Sequence, residues 1–256
     1  TGGLLLTQRT SADEKKVYIP DEMLRSVVID QVQWDPETGE EDPIENELPT
    51  VSQMGRLTHL SVNDVRSLEG LQYAKNITDL DYFLQTNDVI DYRPLGGLES
   101  LENLYVYASE MDVNKTFDLS ALSGLSNLKY ISLGYYVQVF DLSPLSSIAS
   151  LERVSITGCG TVEFPQVYVS QETRQMVIGH PVTYSSQFDG ERQAYGSLIS
   201  ETGEQLGEAE ITLQGDKVTV SNIVDGTARI ELSFTGTSQN GAFGAQSNCA
   251  IPVVWY

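Results

Sequence analysis

Two histidines, two cysteines and a large excess of carboxylates are the side chains from which this sequence could assemble chemistry. His59 and His180 are the only imidazoles, and neither stands near Cys159 or Cys249 in sequence, so nothing suggests a relay that would activate a thiol. The cysteines form none of the closely spaced ligand pairs of a zinc site, and two of them cannot staple a chain of 256 residues. Both are expected to be free thiols, because they fall in different domains and a bridge needs Cα atoms within about 7 Å. Ser126-Asn-Leu-Lys129 matches a bare Ser-x-x-Lys pattern, yet Leu128 inside it is required as a core anchor, so the pattern reads as structural.

Carboxylates offer two further possibilities. Asp79 and Asp81 flank Leu80, so on a strand their side chains share one exposed face, where they could raise each other's pKa or bind a cation; solvated surface acids are the plainer reading. The stretch Trp34–Leu48 carries Asp35, Glu37, Glu40, Glu41, Asp42, Glu45 and Glu47. Calcium would be the hard cation to suit it, but the spacing and central glycine of an EF-hand are missing, so a solvated acidic loop is expected. No metal, no cofactor and no catalytic activity are therefore expected. Fifteen basic against 36 acidic residues, a net charge of −21, repel nucleic acid and anionic membrane surfaces. No apolar run of about 18 residues marks a membrane span, and Leu4-Leu5-Leu6 lacks the basic flank and length of a signal peptide; a secreted protein's signal would already have been removed.

What must position these residues is a repeated phrase: apolar, two variable residues, apolar, one variable, apolar. It recurs as Leu57-Leu60-Val62, Ile77-Leu80-Tyr82, Leu101-Leu104-Val106, Leu128-Ile131-Leu133 and Leu151-Val154-Ile156, at intervals within the leucine-rich-repeat range of about 20–29 residues. Each phrase fits a short parallel strand with alternate residues pointing inward. The second apolar clusters, Leu68 and Leu71, Leu95 and Leu98, Leu119, Leu122 and Leu125, and Leu142, Leu145 and Ile148, should form a convex wall of single 3₁₀ turns, too short for full helices. Ahead of the array, Pro20-Asp21-Glu22 starts a helix with Met23, Leu24, Val27, Val28 and Val32 at helical spacing, the cap that a solenoid end needs, and Thr50 caps a short helix over residues 51–55.

With the strands placed, the outward positions become legible. They are His59, Ser61 and Asn63; Asp79, Asp81 and Phe83; Asn103, Tyr105 and Tyr107; Tyr130, Ser132 and Gly134; Arg153, Ser155 and Thr157. Strands about 4.8 Å apart would make Phe83, Tyr105, Tyr107 and Tyr130 near neighbours on the concave sheet, with Tyr135 and Tyr136 at its rim. Aromatics at central exposed positions are what a binding hot spot requires. Asp79 and Asp81 would give an acidic rim on one side and Arg153 a base on the other, suiting a peptide, a protein with basic and apolar groups, or a glycan that stacks on tyrosine.

The segments Asp91-Tyr-Arg-Pro-Leu-Gly-Gly-Leu-Glu-Ser-Leu101, Asp118-Leu-Ser-Ala-Leu-Ser-Gly-Leu-Ser-Asn-Leu128 and Asp141-Leu-Ser-Pro-Leu-Ser-Ser-Ile-Ala-Ser-Leu151 resemble the internalin repeat, Asp-Ile-x-Pro-Leu-x-x-Leu-x-x-Leu. Ile19-Pro-Asp-Glu-Met-Leu24 is similar to the start of the internalin helical cap, and residues 50–60 to its junction with the first repeat. Phe164-Pro-Gln-Val-Tyr-Val169 and Gly179-His-Pro-Val182 look like the entry to the immunoglobulin-like domain that follows such repeats. The resemblance implies a bacterial surface or secreted protein that binds other molecules, often host proteins, through its repeats. The repeats here are irregular, and the asparagine that bonds backbone in each turn is recognisable at Asn87 and Asn114.

Beyond residue 162 the pattern changes to alternation. Ala228, Ile230, Leu232 and Phe234 share one face, and Leu198-Ile199, Ile211 with Leu213, Val218 with Val220 and Ile251 to Trp255 bring the count to roughly seven strands. The expected organisation is a loosely held terminus over 1–16, a helical cap over 17–56, about five leucine-rich repeats over 57–162 and an all-β immunoglobulin-like sandwich over 163–256. Without a Gly/Ser/Pro linker near residue 160, the sandwich should pack directly on the last repeat. The functional expectation is an extracellular, monomeric binding module that recognises a protein or glycan, such as a host cell-surface molecule, through the concave face; a structural spacer is the alternative.

Overall fold

The computed structural model describes residues 14–85, 88–109 and 115–256. The elements follow from the patterns above. Helix α1 (Glu22–Val32) buries Leu24, Val28 and Val32, while Met23 is exposed. Asp21 caps it by accepting from the Leu24 amide, and its second carboxylate oxygen accepts from the amides of Arg66 and Ser67. One side chain thus starts the helix and fastens it to the turn after the first repeat strand. Gly70 completes the junction: its φ is +95°, and a Cβ there would lie 2.7 Å from Ile19.

Helix α2 (Val51–Met54) begins with a reciprocal capping box between Thr50 and Gln53. Residues 14–16, part of the terminus expected to be loosely held, lie against this turn. Lys16 bridges Thr50, the Val51 amide donates to Lys15, and Ser52 donates to Glu14, because the first turn of α2 leaves donors that the incoming chain satisfies. Residues 1–13 lie outside the described residues. The acidic stretch folds back as a tight excursion, with Trp34 bridging Glu41; Arg56 pairs with Asp42 at 2.8 Å and Arg25 with Glu47 at 3.0 Å. Its charge is partly neutralised by the cap's own arginines.

Five parallel strands then follow the repeat phrases: β1 (His59–Asn63), β2 (Asp79–Leu84), β3 (Asn103–Ala108), β5 (Tyr130–Tyr135) and β7 (Arg153–Gly158), with the two-residue strands β4 (Lys115–Thr116) and β6 (Val137–Gln138) pairing to each other beside them. The anchors Leu60, Val62, Leu80, Tyr82, Leu104, Val106, Ile131, Leu133, Val154 and Ile156 are buried. The convex side consists of 3₁₀ turns at Leu71–Tyr73, Arg93–Gly97, Leu119–Leu122 and Ser143–Ser147. Asn87 and Asn114 lie outside the described residues.

The chain continues with β8 (Val162–Glu163), β9 (Val167–Val169), β10 (Met176–Gly179), β11 (Arg192–Ser200), β12 (Gln205–Glu208), β13 (Glu210–Gln214), β14 (Lys217–Ser221), β15 (Thr227–Thr237) and β16 (Phe243–Trp255). The long strand β16 is the seam. It pairs parallel to β7 through Phe243↔Val154 to Gln246↔Thr157, antiparallel to β15 along its length, and parallel to β8 and β9 near its end. Direct packing was the expectation; the finding is closer, because the repeat sheet runs without a break into the second half in the order β1-β2-β3-β5-β7-β16-β15-β11-β12. A separate antiparallel sheet, β10-β14-β13, contributes Val218 and Val220 to the same buried cluster as Ile230, Leu232 and Phe234. The protein is mostly β, and its large, largely parallel sheet is that of a β-rich solenoid.

At the seam, buried Gln138 donates to the Gly160 carbonyl and accepts from the Asn248 amide, while the Asn248 side chain donates to Gly158 and Gly160. Among the described residues no helix is long and apolar enough to cross a membrane.

Candidate functional site

Residues paired across a sheet face the same side, so the register orders the outward positions into rows. One row reads Asn63, Phe83, Tyr107, Gly134, Thr157, Gln246, Thr235, Gln193, crossing eight strands. A second carries Ser61, Asp81, Tyr105, Ser132 and Ser155, and a third His59, Asp79, Asn103, Tyr130 and Arg153.

The aromatic patch is centred on the first row, with Tyr135 one residue beyond it, and differs from the expected group of four. Phe83 and Tyr107 stand with ring centroids 5.5 Å apart, and Tyr107 meets Tyr135 edge-on at 5.7 Å. Tyr135 was expected only at the rim. Its φ of +54° breaks the alternation at the strand end, so its side chain is exposed beside Tyr107 although its neighbours in register, Ala108 and Gly158, are buried. Gly134 is what lets Tyr107 lie across β5: a Cβ there would sit 2.7 and 2.8 Å from ring atoms of Tyr107. The Tyr107 hydroxyl reaches Ser132 at 3.3 Å.

Tyr130 leaves the group. It lies four residues along β5 from the row's Gly134, two rows away, and its hydroxyl donates to Glu152 at 2.8 Å, which pushes the phenol pKa up. Tyr105 lies in the middle row, and among the described residues neither Tyr105 nor Tyr130 makes a ring contact.

Nor do the two aspartates act as a pair. Asp79 accepts from the Thr78 hydroxyl and the Asn103 amide, each at 2.7 Å, and pairs with His59 at 3.0 Å. The Thr78 bond first, then Asn103 and His59, hold its carboxyl below the ordinary range against the opposing effect of burial. Asp81, between Ser61 and Tyr105, makes no ion pair among the described residues. Arg153 is exposed beside Tyr130, at the opposite end of the third row from His59.

The other chemistry-bearing side chains are dispersed. His180 accepts from the Val182 amide and packs on Phe234, and burial pushes its pKa down. Lys129 is paired with Glu102 at 3.0 Å, which raises its pKa. Cys159 is exposed and Cys249 buried, both free, and burial pushes the Cys249 thiol up to about 12. Among the described residues, no three His, Cys, Asp or Glu side chains converge on a point where a metal could be held.

No protein-family model matches the sequence, and no curated protein matches it. Among solved structures, the chain is similar to the functional domain of InlJ from Listeria monocytogenes, at 14% identity and a TM-score of 0.46, over 80% of this chain and 45% of that one. It is also similar to the CBM51-2 and INT domains of ZmpB from Clostridium perfringens, at 14% identity and a TM-score of 0.32, over 94% of this chain and 37% of that one. An internalin, inlF, from Listeria monocytogenes matches at 20% identity and a TM-score of 0.26, over 56% of this chain and 58% of that one. The chain spans less than two thirds of each of these three.

Proposed function

We propose that this chain is a non-catalytic binding module of a bacterial surface or secreted protein, which recognises a protein or glycan partner through its concave sheet and acts as a monomer outside the cell. The group Phe83–Tyr107–Tyr135 carries the reading: Tyr107 contacts both Phe83 and Tyr135 on an open face, with Gly134 vacated to seat this central ring. Such rings offer apolar area at little rotamer cost and keep a polar tip. Asp81 beside them, on a chain of net charge −21, favours a partner protein with apolar and basic groups. We read the second half as an immunoglobulin-like sandwich that buttresses this face. Retention of the chain on intact host cells should be lost when Phe83, Tyr107 and Tyr135 are replaced together by Ala; retention equal to the wild type would overturn the proposal.

One observation favours a second reading. Because β7 and β16 belong to one sheet, the two halves cannot hinge freely, which suits a stiff spacer that presents a binding region elsewhere. On that reading the triple variant changes nothing.

A further inference from the structure

The concave face continues past the last repeat. Beyond Thr157 the long row passes through Gln246, Thr235 and Gln193, and alongside it Asn248, Ser233 and Tyr195 point to the same side. Here the sheet carries an open cleft of about 350 Å³ whose lining includes Tyr195, Ser197, Glu231, Ser233, Gln246 and Asn248. Its floor is fixed: Asn248 is buried, donates to the carbonyls of Gly158 and Gly160, and accepts from Ser233 and Gln246.

Part of the lining is presented without protein partners. Tyr195 is 51% exposed, and among the described residues no ring contact involves it. Its hydroxyl, the Ser197 hydroxyl and the Gln246 side-chain oxygen have no hydrogen-bond partner among the described residues, whereas one oxygen of Glu231 is taken by Arg229 at 2.6 Å. That pairing leaves the cleft near neutral on a strongly acidic protein, so neither a cation nor an anion gains much there. Predominantly apolar linings suit drug-like molecules. This lining instead combines one bare aromatic face with hydroxyl, amide and carboxylate groups, the complement of a molecule with an apolar C–H face and a rim of hydroxyls.

We infer that this cleft binds a neutral saccharide: a sugar ring stacks on Tyr195, and its hydroxyls bond to Gln246, Ser197 and the second oxygen of Glu231. The site is separate from the Phe83–Tyr107–Tyr135 row and does not depend on it. Isothermal titration of the full chain with neutral hexasaccharides of β-1,4-linked N-acetylglucosamine, β-1,4-linked glucose, α-1,4-linked glucose and α-1,6-linked mannose tests the inference. One series should bind, and Tyr195→Ala should weaken it at least about tenfold, the effect of removing about 1.4 kcal/mol. Tyr195→Phe should retain most of the affinity, and Tyr18→Ala, which removes an exposed ring of the N-terminal cap that does not line the cleft, all of it. No binding by any series at millimolar sugar, or equal binding by Tyr195→Ala, overturns the inference. Loss in Phe83→Ala with none in Tyr195→Ala would move the sugar to the repeat face and equally overturn it.

Discussion

Gly134→Ala isolates the arrangement of the aromatic row from its composition, since it removes no aromatic residue. The added methyl would meet Tyr107 at 2.7 Å, where ordinary contact begins near 3.4 Å, so the ring must swing away from β5. It then gives up its contacts with Phe83 and Tyr135, worth about 0.5–1.5 kcal/mol each and toward the lower figure on a face open to water. Against this, Ala in a strand is about 0.5–1 kcal/mol better than Gly. Net stability should therefore move by less than about 1 kcal/mol in urea denaturation, while ring-to-ring nuclear Overhauser contacts between Tyr107 and Tyr135 disappear. If the preformed row is the contact surface, retention on host cells should weaken by about 2 kcal/mol, roughly 30-fold. A destabilisation beyond about 3 kcal/mol would mean that Gly134 is packed for structural reasons. Unchanged retention would mean that the row's geometry does not matter.

Asp21→Ala should cost about 1–3 kcal/mol by removing the α1 cap and orphaning the Arg66 and Ser67 amides, read as a lower thermal midpoint. Gln138→Ala should cost about 2–3 kcal/mol, because the Asn248 amide and the Gly160 carbonyl lose a buried partner; an unchanged urea midpoint would refute the role given to this joint. His180 is depressed below 6.5 when folded, so the unfolded chain takes up the proton first and His180 lowers stability as pH falls through and below 6.5; His180→Gln should flatten that part of the pH–stability curve. One thiol, Cys159, should react with a disulfide reagent in the native protein and a second only on unfolding; two fast thiols or none would contradict the burial of Cys249.

The repeat strands and convex turns were readable because they rest on periodicity: Leu60, Leu80, Leu104, Ile131 and Val154 recur at core positions of equivalent strands. The outward face was readable only as far as that alternation holds. It placed Phe83 and Tyr107 correctly but could not place Tyr135, whose positive φ interrupts the period of two. It also set Tyr130 among the other rings, although the same spacing puts it at the first outward position of its strand, two rows from Phe83 and Tyr107, and it gave no sign that Glu152 would engage its hydroxyl. Hidden too was the pairing of β7 with β16, since a contact between residues 154–157 and 243–246 leaves no local signature. Tyr195 gave no signal for the same reason, its neighbours in the cleft coming from distant segments.

That pairing also dictates an order of assembly. Until residues 243–246 arrive, the outer edge of β7 lacks its backbone partner, so a nascent chain carries an open strand edge on its repeat array. The same late segment supplies the partner of β15 and the bonds that Gln138 needs. Closure is thus a long-range step that comes last and completes both halves together, which makes slow, cooperative folding the expected kinetic signature.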